Sequence, residues 1–335
     1  MQVQENTPLA QFTTFQIGGP ARFFARVASV SELEEAVRFA GEKNIPFFIL
    51  GGGSNVLIDD KGFDGLVIKI ELQGVEESGD LFVAGAGESW DALVMRAIEK
   101  GFWGIENLSG VPGTVGGAVV QNIGAYGQAL SQTLEWVEVY DAKEREVKRL
   151  SKGAYQSGYR DSIFKREDGR YIALKVALRL SKNPTPALSY KDLATRFAGK
   201  TPNLPEIRSA VLEIRANKFP DLSVMGTAGS FFKNPVVSKE IAAGLTQKYK
   251  DLPTFPLPET SDIKIPLGWF LDYRHGVLDM RGVKVGGASL YEKQFLVLVA
   301  ERNSSANDVK ELVRLIREKV RDAIGIEIEP EVRIV

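Results

Sequence analysis

The sequence predicts an α+β protein of two or three domains. With 335 residues the chain is longer than one typical domain, and 44% hydrophobic residues suffice for several cores. Its N-terminal part alternates strand, helix and strand. The middle is rich in strands, and the last third combines an amphipathic helix with further strands.

The N-terminal part has the pattern of a β-α-β unit. Ala21–Val27 and Pro46–Leu50 have the composition of strands. The helix between them is predicted to begin after Ser31, because Glu34 stands three residues later and completes a capping box. Gly65–Ile70 supplies the strand that closes the unit.

The middle of the chain is predicted to form a sheet around a glycine-rich connection. Ser89 caps a predicted helix that ends at Gly101. Gly110–Gly127 holds six glycines and shows no regular period, so we expect backbone that wraps a ligand, or else an irregular connection. The strands are Leu81–Ala84, Leu134–Tyr140, Glu146–Leu150 and Tyr171–Leu180.

Asn183–Pro186 is predicted to be a hinge, and the region that follows the helix Pro205–Phe219 contains one loop of interest. Gly226–Pro235 reads GTAGSFFKNP, which fits neither helix nor strand. It is either a loop that presents Ser230 to a ligand or an ordinary turn anchored by its two phenylalanines. The regular elements are helices Pro205–Phe219, Ser238–Lys248 and Asn307–Ile324 and strands Phe295–Ala300 and Ile326–Val335.

Composition excludes several classes of function. A net charge of −1 gives no general attraction to nucleic acid or to anionic lipid. The chain has no cysteine and a single histidine, His275, which excludes disulfides, thiolate chemistry and multi-histidine metal sites. We expect His275 to be a solvated surface residue. The absence of a long apolar run predicts a cytoplasmic protein without a membrane segment.

Gly51–Asn55, GGGSN, directly follows a predicted strand and resembles a phosphate cradle. Successive backbone N–H groups in such a loop can point at an anion. A glycine-rich turn is the alternative. Neither the G-x-G-x-x-G fingerprint opening a helix nor the G-x-x-x-x-G-K-[ST] loop occurs.

Seven motifs, taken in order, closely resemble the UDP-N-acetylenolpyruvoylglucosamine reductase family, in the subclass with a tyrosine-bearing loop. The resemblance covers essentially the whole chain. The motifs are TTFQIGG (Thr13–Gly19), ILGGGSN (Ile49–Asn55), GVPG (Gly110–Gly113), QNIGAYG (Gln121–Gly127), YRDSIFK (Tyr159–Lys165), GSFFKNP (Gly229–Pro235) and EPEVR (Glu329–Arg333).

The resemblance implies a fold and a reaction. The fold is a two-lobed FAD-binding region of the vanillyl-alcohol-oxidase type, formed by 1–65 with the strand 326–335 and by 66–218, plus a third α/β substrate-binding domain, 219–325. The reaction uses non-covalent FAD and NADPH to reduce an enolpyruvyl sugar nucleotide to UDP-N-acetylmuramate for peptidoglycan. In it, a hydride passes from flavin N5 to the substrate's β-carbon.

Three catalytic residues follow from the same resemblance. Arg160 would clamp the substrate carboxylate, and Ser230 would donate a proton to the α-carbon. Glu331 would polarise the intermediate or relay protons. The alternatives are ordinary ion pairs, Arg160 with Asp161 and Glu331 with Arg333.

Binding residues are implied as well, and no metal site is. The chain departs from the subclass pattern at one substrate contact, because the proline-rich loop Leu252–Pro258 carries Phe255 where a tyrosine is expected. Arg281 replaces a lysine and keeps the charge. The expected FAD contacts are Gly51, Gly52, Gly53, Ser54, Asn55, Val111, Pro112, Gly116, Gly117, Gly124 and Arg215. The expected diphosphate contacts are Tyr190, Lys218, Asn234, Arg281 and Gln294.

Two other functions remain open from the sequence. One is an FAD-dependent oxidase or dehydrogenase of the same architecture, although many of those tether FAD through His or Cys. The other is a non-catalytic protein that binds flavin or a nucleotide sugar, which would be expected to lack one of the three catalytic residues. A monomer with a small-molecule substrate and no nucleic-acid or membrane partner is predicted.

Overall fold

The computed structural model describes residues 1–257 and 260–335, which form mixed helices and sheets, and the predicted α+β class is confirmed. Pro258, at the end of the predicted proline-rich loop, lies outside the described residues. Contacts divide the chain into two compact units. The first unit comprises Met1–Pro8, Pro20–Gly53 and Phe63–Asn217, and the second comprises Leu9–Gly19, Ser54–Gly62 and Lys218–Val335. The three-domain division stays a prediction.

The strands are β1 Val3–Pro8, β2 Pro20–Val27, β3 Phe47–Leu50, β4 Val56–Leu57, β5 Phe63–Ile70, β6 Val75–Ser78, β7 Leu81–Gly85, β8 Gly124–Ala125, β9 Gln128–Ala129, β10 Leu134–Asp141, β11 Glu146–Ser151, β12 Tyr171–Arg179, β13 Val236–Val237, β14 Phe255–Pro256, β15 Ile263–Lys264, β16 Lys284–Val285, β17 Ala288–Tyr291, β18 Gln294–Ala300 and β19 Arg333–Ile334. The α-helices are α1 Val30–Glu42, α2 Trp90–Glu99, α3 Val115–Gln121, α4 Leu130–Thr133, α5 Lys152–Tyr155, α6 Ile163–Arg166, α7 Lys191–Arg196, α8 Leu204–Lys218, α9 Lys239–Lys248, α10 Leu267–Leu271 and α11 Ala306–Ile324.

The first sheet of the first unit contains the predicted β-α-β unit. Its strand order is β1-β2-β5-β3, with β5 parallel to both β2 and β3. The predicted cap of α1 is wrong, because Ser29 and not Ser31 accepts the N–H of Glu32. Both serines have glutamate three residues later, so the capping pattern alone fits either register. Strand β1, antiparallel to β2, was not predicted.

The second sheet of this unit is antiparallel, in the order β11-β10-β12-β7-β6, and Ser89 caps α2 as predicted. Within the glycine-rich segment Gly110–Gly127, where the sequence shows no regular period, Thr114 caps a short helix, α3. A Cβ on Gly116 would lie 2.9 Å from the Cβ of Ala86. Glycine at this position therefore lets α3 pack closely against Ala86. Because glycine has no side chain, the sequence of α3 shows no helical period of apolar residues.

The second unit has its own core beneath α11. Phe231, Phe232 and Phe270 are fully buried there, together with the apolar face of α11. The predicted strand Ile326–Val335 shrinks to β19, which runs parallel to β4. Pro330 accounts for part of this, because proline lacks the N–H that a ladder needs. No helix within residues 1–257 and 260–335 is long and apolar enough to span a bilayer.

Candidate active site

The glycine loop Gly51–Gly53 begins where β3 ends and packs against the second glycine-rich segment. A Cβ on Gly52 would lie 2.5 Å from the Cα of Gly113, and one on Gly51 would lie 2.8 Å from Thr114 Oγ1. These two glycines are therefore required by close packing of backbone on backbone. Their small size is thus explained by packing within the protein and does not by itself indicate a ligand. Ser54 and Asn55, predicted to join the same loop, belong to the second unit.

Gly110 is surrounded by charged side chains of the first unit. Its backbone is left-handed (φ +69°), and its N–H donates to Asp91 Oδ1 at 2.6 Å. Arg208 binds the same carboxylate through two nitrogens, at 2.7 and 2.8 Å, and holds the pKa of Asp91 below its ordinary value. A Cβ on Gly110 would approach the guanidinium of Arg215 to 3.2 Å. Val111 and Pro112 follow in the same segment.

Arg215 and Tyr190 are brought together by a residue that was not predicted. Burial lowers the pKa of Arg215, and a hydrogen bond with the side chain of Tyr126 opposes that shift. The ring of Tyr126 packs edge-on against Tyr190, with centroids 5.2 Å apart. Tyr126 thus contacts both Arg215, an expected FAD contact, and Tyr190, an expected diphosphate contact. Tyr126 lies in the QNIGAYG motif, but no role was predicted for it from the sequence.

Arg160 is held in a strained conformation beside another predicted residue. Its backbone lies in the left-handed region (φ +54°), which is uncommon for a residue with a side chain. Its Nη2 donates to the carbonyl of Gly124 at 2.6 Å. Asp161, the partner in the alternative interpretation, instead pairs with Arg166 at 2.7 Å. The carboxylate adjacent in sequence is therefore occupied elsewhere.

The loop around Ser230 is fixed by its backbone, and it brings Ser230 and Glu331 close together. Ser230 forms a bridge with Val297, and the next residue, Phe231, accepts the N–H of Glu331 at 2.7 Å. Asn55 donates to the carbonyl of Glu331 at 3.1 Å, which adds a predicted FAD contact to this group. Ser230 itself is partly exposed. The phenylalanines of the loop are buried, and its serine is partly exposed, so the choice between a ligand-binding loop and an ordinary turn stays a prediction.

Two polar residues that follow Ser230 have structural partners. Lys233 pairs with Glu329 at 3.1 Å. Asn234 Oδ1 accepts the N–H of Leu267 at 2.9 Å, at the start of α10, so the side chain is oriented with its amide nitrogen as the remaining donor group.

The other expected diphosphate contacts are spread over both units. Arg281 binds Asp279 at 2.6 Å, lowers the pKa of that carboxyl to about 2, and stacks 4.0 Å from the ring of Tyr273. Tyr273 also packs edge-on against Phe295, next to Gln294. Lys218 ends α8 and opens the second unit, whereas Tyr190 lies in the first.

Two residues singled out by the sequence lie on the surface of the second unit. His275 is exposed, as predicted, and stacks on Trp269 with ring centroids 4.3 Å apart. Phe255, in the position of the expected tyrosine, is 46% exposed, and the ammonium of Lys264 lies 5.5 Å from its ring.

Residues 21–150 match the family model described as an FAD binding domain, which makes the chain a flavoprotein. Residues 221–335 match the model of the UDP-N-acetylenolpyruvoylglucosamine reductase C-terminal domain. The chain belongs to the UDP-N-acetylenolpyruvoylglucosamine reductase family, which confirms the predicted resemblance.

Individual relatives agree with this assignment along the whole chain. A UDP-N-acetylenolpyruvoylglucosamine reductase of Bdellovibrio bacteriovorus is 40% identical over 99% of both chains. One of Neisseria gonorrhoeae is 38% identical over 98% of this chain and 96% of its own. The crystal structure of the Thermus caldophilus reductase matches with a TM-score of 0.72 at 26% identity, covering 100% of this chain and 99% of its own. The roles of individual site residues stay predictions.

Proposed function

We propose that this chain uses NADPH and FAD to reduce the enolpyruvyl group of UDP-N-acetylenolpyruvoylglucosamine, forming UDP-N-acetylmuramate for peptidoglycan. The observation that carries the proposal is the match to a reductase of that name, 40% identical over 99% of the chain. The FAD binding domain over residues 21–150 would bind the cofactor. The presence of Arg160, Ser230 and Glu331 favours an enzyme over a binding protein.

The residues of the first unit fit an FAD diphosphate. The Gly51–Gly53 loop presents the backbone N–H of Gly52, and Arg215 adds a partly buried positive charge. When bound, FAD transfers a hydride from NADPH to the substrate. We expect non-covalent binding, because the chain has no cysteine and its single histidine stacks on Trp269.

The three catalytic residues divide the remaining chemistry. Once the β-carbon has received a hydride, the Ser230 hydroxyl donates a proton to the α-carbon, and the C=C bond becomes a single bond. Arg160 stabilises the negative charge that develops on the adjoining carboxylate; its bond to Gly124 fixes the plane of the guanidinium. Glu331, bonded to the residue after Ser230, relays the proton that restores the serine.

The substrate's diphosphate would be bound by cations and polar groups. We assign this role to Lys218 and Arg281, with Tyr190, Asn234 and Gln294 as hydrogen-bonding partners. Phe255 supplies no hydroxyl, which removes about 1 kcal/mol of net binding. Because both NADPH and nucleotide sugars are made in the cytoplasm, we propose that location, and we propose a monomer.

Anaerobic flavin spectroscopy tests the proposal. The purified protein should be yellow, lose its colour with NADPH, and regain it on addition of UDP-N-acetylenolpyruvoylglucosamine. UDP-N-acetylglucosamine, which lacks the enolpyruvyl group, is the matched control and should restore no colour. Acid or heat should release all the flavin into solution. A colourless protein would rule out the proposal, and bleaching without recolouring would indicate a different flavin oxidoreductase.

A further inference from the structure

Lys69, on β5, places a positive charge beside the glycine loop Gly51–Gly53. Its backbone pairs across the sheet with Leu50, the residue before the loop, and its Nζ donates to the carbonyl of Gly51 at 2.7 Å. Within residues 1–257 and 260–335 that carbonyl is the one hydrogen-bond partner of the ammonium, and no carboxylate lies within 4.0 Å of it. Glu71, two residues on, is bound to Arg26.

This arrangement is costly if its purpose is only structural. Lys69 is partly buried, and burial lowers the pKa of its amine. An ammonium removed from water is normally compensated by a carboxylate or by several acceptors, whereas a single neutral carbonyl compensates it weakly. We therefore expect the Lys69 ammonium to interact with a further, negatively charged partner.

The geometry of the peptide bond shows what Lys69 does to the loop. A trans peptide is planar, and its C=O and N–H point in opposite directions. Because Lys69 holds the carbonyl of Gly51, the N–H of Gly52 is turned away from Lys69. In the part of the chain that the structure describes, this N–H has no hydrogen-bond partner. Without the bond, a peptide between two glycines rotates easily.

We infer that Lys69 is a positioning residue for the FAD diphosphate: it holds the Gly51 carbonyl away from the anion and the Gly52 N–H toward it. The inference rests on the proposed function, which places the FAD diphosphate at this loop. A carbonyl turned the other way would repel the same anion. The ammonium, one peptide away, adds a favourable long-range charge interaction.

FAD titration of the deflavinated protein, followed by flavin fluorescence, tests this role. Lys69→Met should raise the Kd for FAD about 10- to 100-fold, which is the effect expected from losing a hydrogen bond that involves a charged group. Lys69→Arg should recover most of the affinity, because it retains both donor and charge. Lys143→Met is the matched control. Lys143 is exposed in the same unit and its substitution should change the Kd less than about twofold.

Thermal unfolding of the FAD-free protein separates positioning from a purely structural role. Lys69→Met should leave the Tm of the FAD-free protein unchanged or raise it, while reducing the Tm increase produced by FAD. A fall in that Tm, with FAD affinity lost equally in Lys69→Arg, would mean that Lys69 only supports the fold.

Two other results would also overturn the inference. An unchanged Kd for FAD with a raised KM for NADPH would assign the charge to a phosphate of NADPH. If the wild type binds FAD and Lys69→Met binds it equally well, Lys69 has no positioning role, but the proposed function stands. If the wild type itself binds no FAD, the proposed function fails first.

Discussion

The two units prepare their candidate residues in different ways. In the first unit the candidates are mainly backbone groups, on glycine segments packed so closely that a Cβ on Gly52 would lie 2.5 Å from Gly113. In the second unit the candidates are side chains, among them Ser230 on a loop fixed by hydrogen bonds to Leu296 and Glu331. Backbone N–H groups suit a large anionic cofactor, whereas proton transfer requires one hydroxyl held still.

The two units also differ in how their positively charged side chains are held. Burial lowers the pKa of both Lys69 and Arg215 in the first unit. In the second unit Lys233 and Arg281 are paired with carboxylates, and the pair that Arg281 forms is more than half exposed. Exposed ion pairs contribute only about 0–1 kcal/mol, so they exchange readily for a phosphate. The first arrangement suits a resident cofactor, and the second suits a substrate that binds and leaves.

The largest expected effect concerns Ser230. Ser230→Ala should retain FAD and be reduced by NADPH at nearly the normal rate, because that step needs no proton from serine. Reoxidation by the enolpyruvyl sugar nucleotide should slow by about 10²- to 10⁴-fold, the contribution of a positioned acid. Anaerobic stopped-flow absorbance of the flavin measures both steps.

Two further variants sharpen the test of Ser230. Ser230→Cys should recover part of the rate, since a thiol can also donate a proton. Ser223→Ala, an exposed serine in the same unit, is the control and should leave both steps unchanged. If Ser230→Ala slows only the NADPH step, or neither step, the loop is an ordinary turn.

The phenylalanine after Ser230 should matter for the fold rather than the chemistry. Phe231 is 0% exposed, so Phe231→Ala should lower the free energy of unfolding by about 3–5 kcal/mol. Phe255→Ala, at a 46% exposed side chain in the same unit, should change it by about 0.5 kcal/mol or less. Denaturant unfolding measures both values, and equal losses would contradict the anchoring role.

A smaller effect is expected at Lys218, which should bind the substrate's diphosphate. Lys218→Ala should raise the KM for the sugar nucleotide about tenfold, while reduction of the flavin by NADPH keeps its rate. Lys239→Ala, at an exposed lysine that begins α9, controls for the loss of one charge. Steady-state and half-reaction kinetics distinguish these outcomes, and an unchanged KM would remove Lys218 from the site.

The smallest effect concerns the pH dependence of the Asp91–Arg208 pair. The hydrogen bond from Arg208 lowers the pKa of Asp91, so the stability from this pair is present above about pH 4 and is lost as pH falls through the folded pKa. Asp91→Asn should therefore cost about 1 kcal/mol at pH 6 and less at pH 3. Denaturant unfolding at both pH values measures this; a difference that grows toward pH 3 would contradict it.

The sequence predicted elements whose signals are local. Ser89 caps its helix as expected, because a cap depends on residues three positions apart. Helix α3 was not predicted, because its two glycines interrupt the apolar pattern of a helix. Gly116 is needed there because it packs against Ala86, a contact that only the fold reveals. The choice between Ser29 and Ser31 failed for a different reason, because both fit the same pattern.

Much of the candidate site could not be predicted from local pattern at all. Ser230 and Glu331 are far apart in sequence, and only the family resemblance implies that both belong to the catalytic site. Asp161 has Arg160 beside it in sequence, yet it binds Arg166, and spacing does not distinguish the two. Lys69 gave no signal, because its role depends on the strand end that lies next to it in the sheet.

The interleaving of the two units constrains the order in which the protein can be built during synthesis. Residues 9–19 and 54–62 emerge early from the ribosome but belong to the second unit, and β4 must wait for β19. Asn55 and Glu331, which share a hydrogen bond, are 276 positions apart. Contacts of such long range slow folding, and β4 and its neighbours stay unpaired for most of translation. We therefore expect the second unit to be the later one to form and the one that depends more on chaperones.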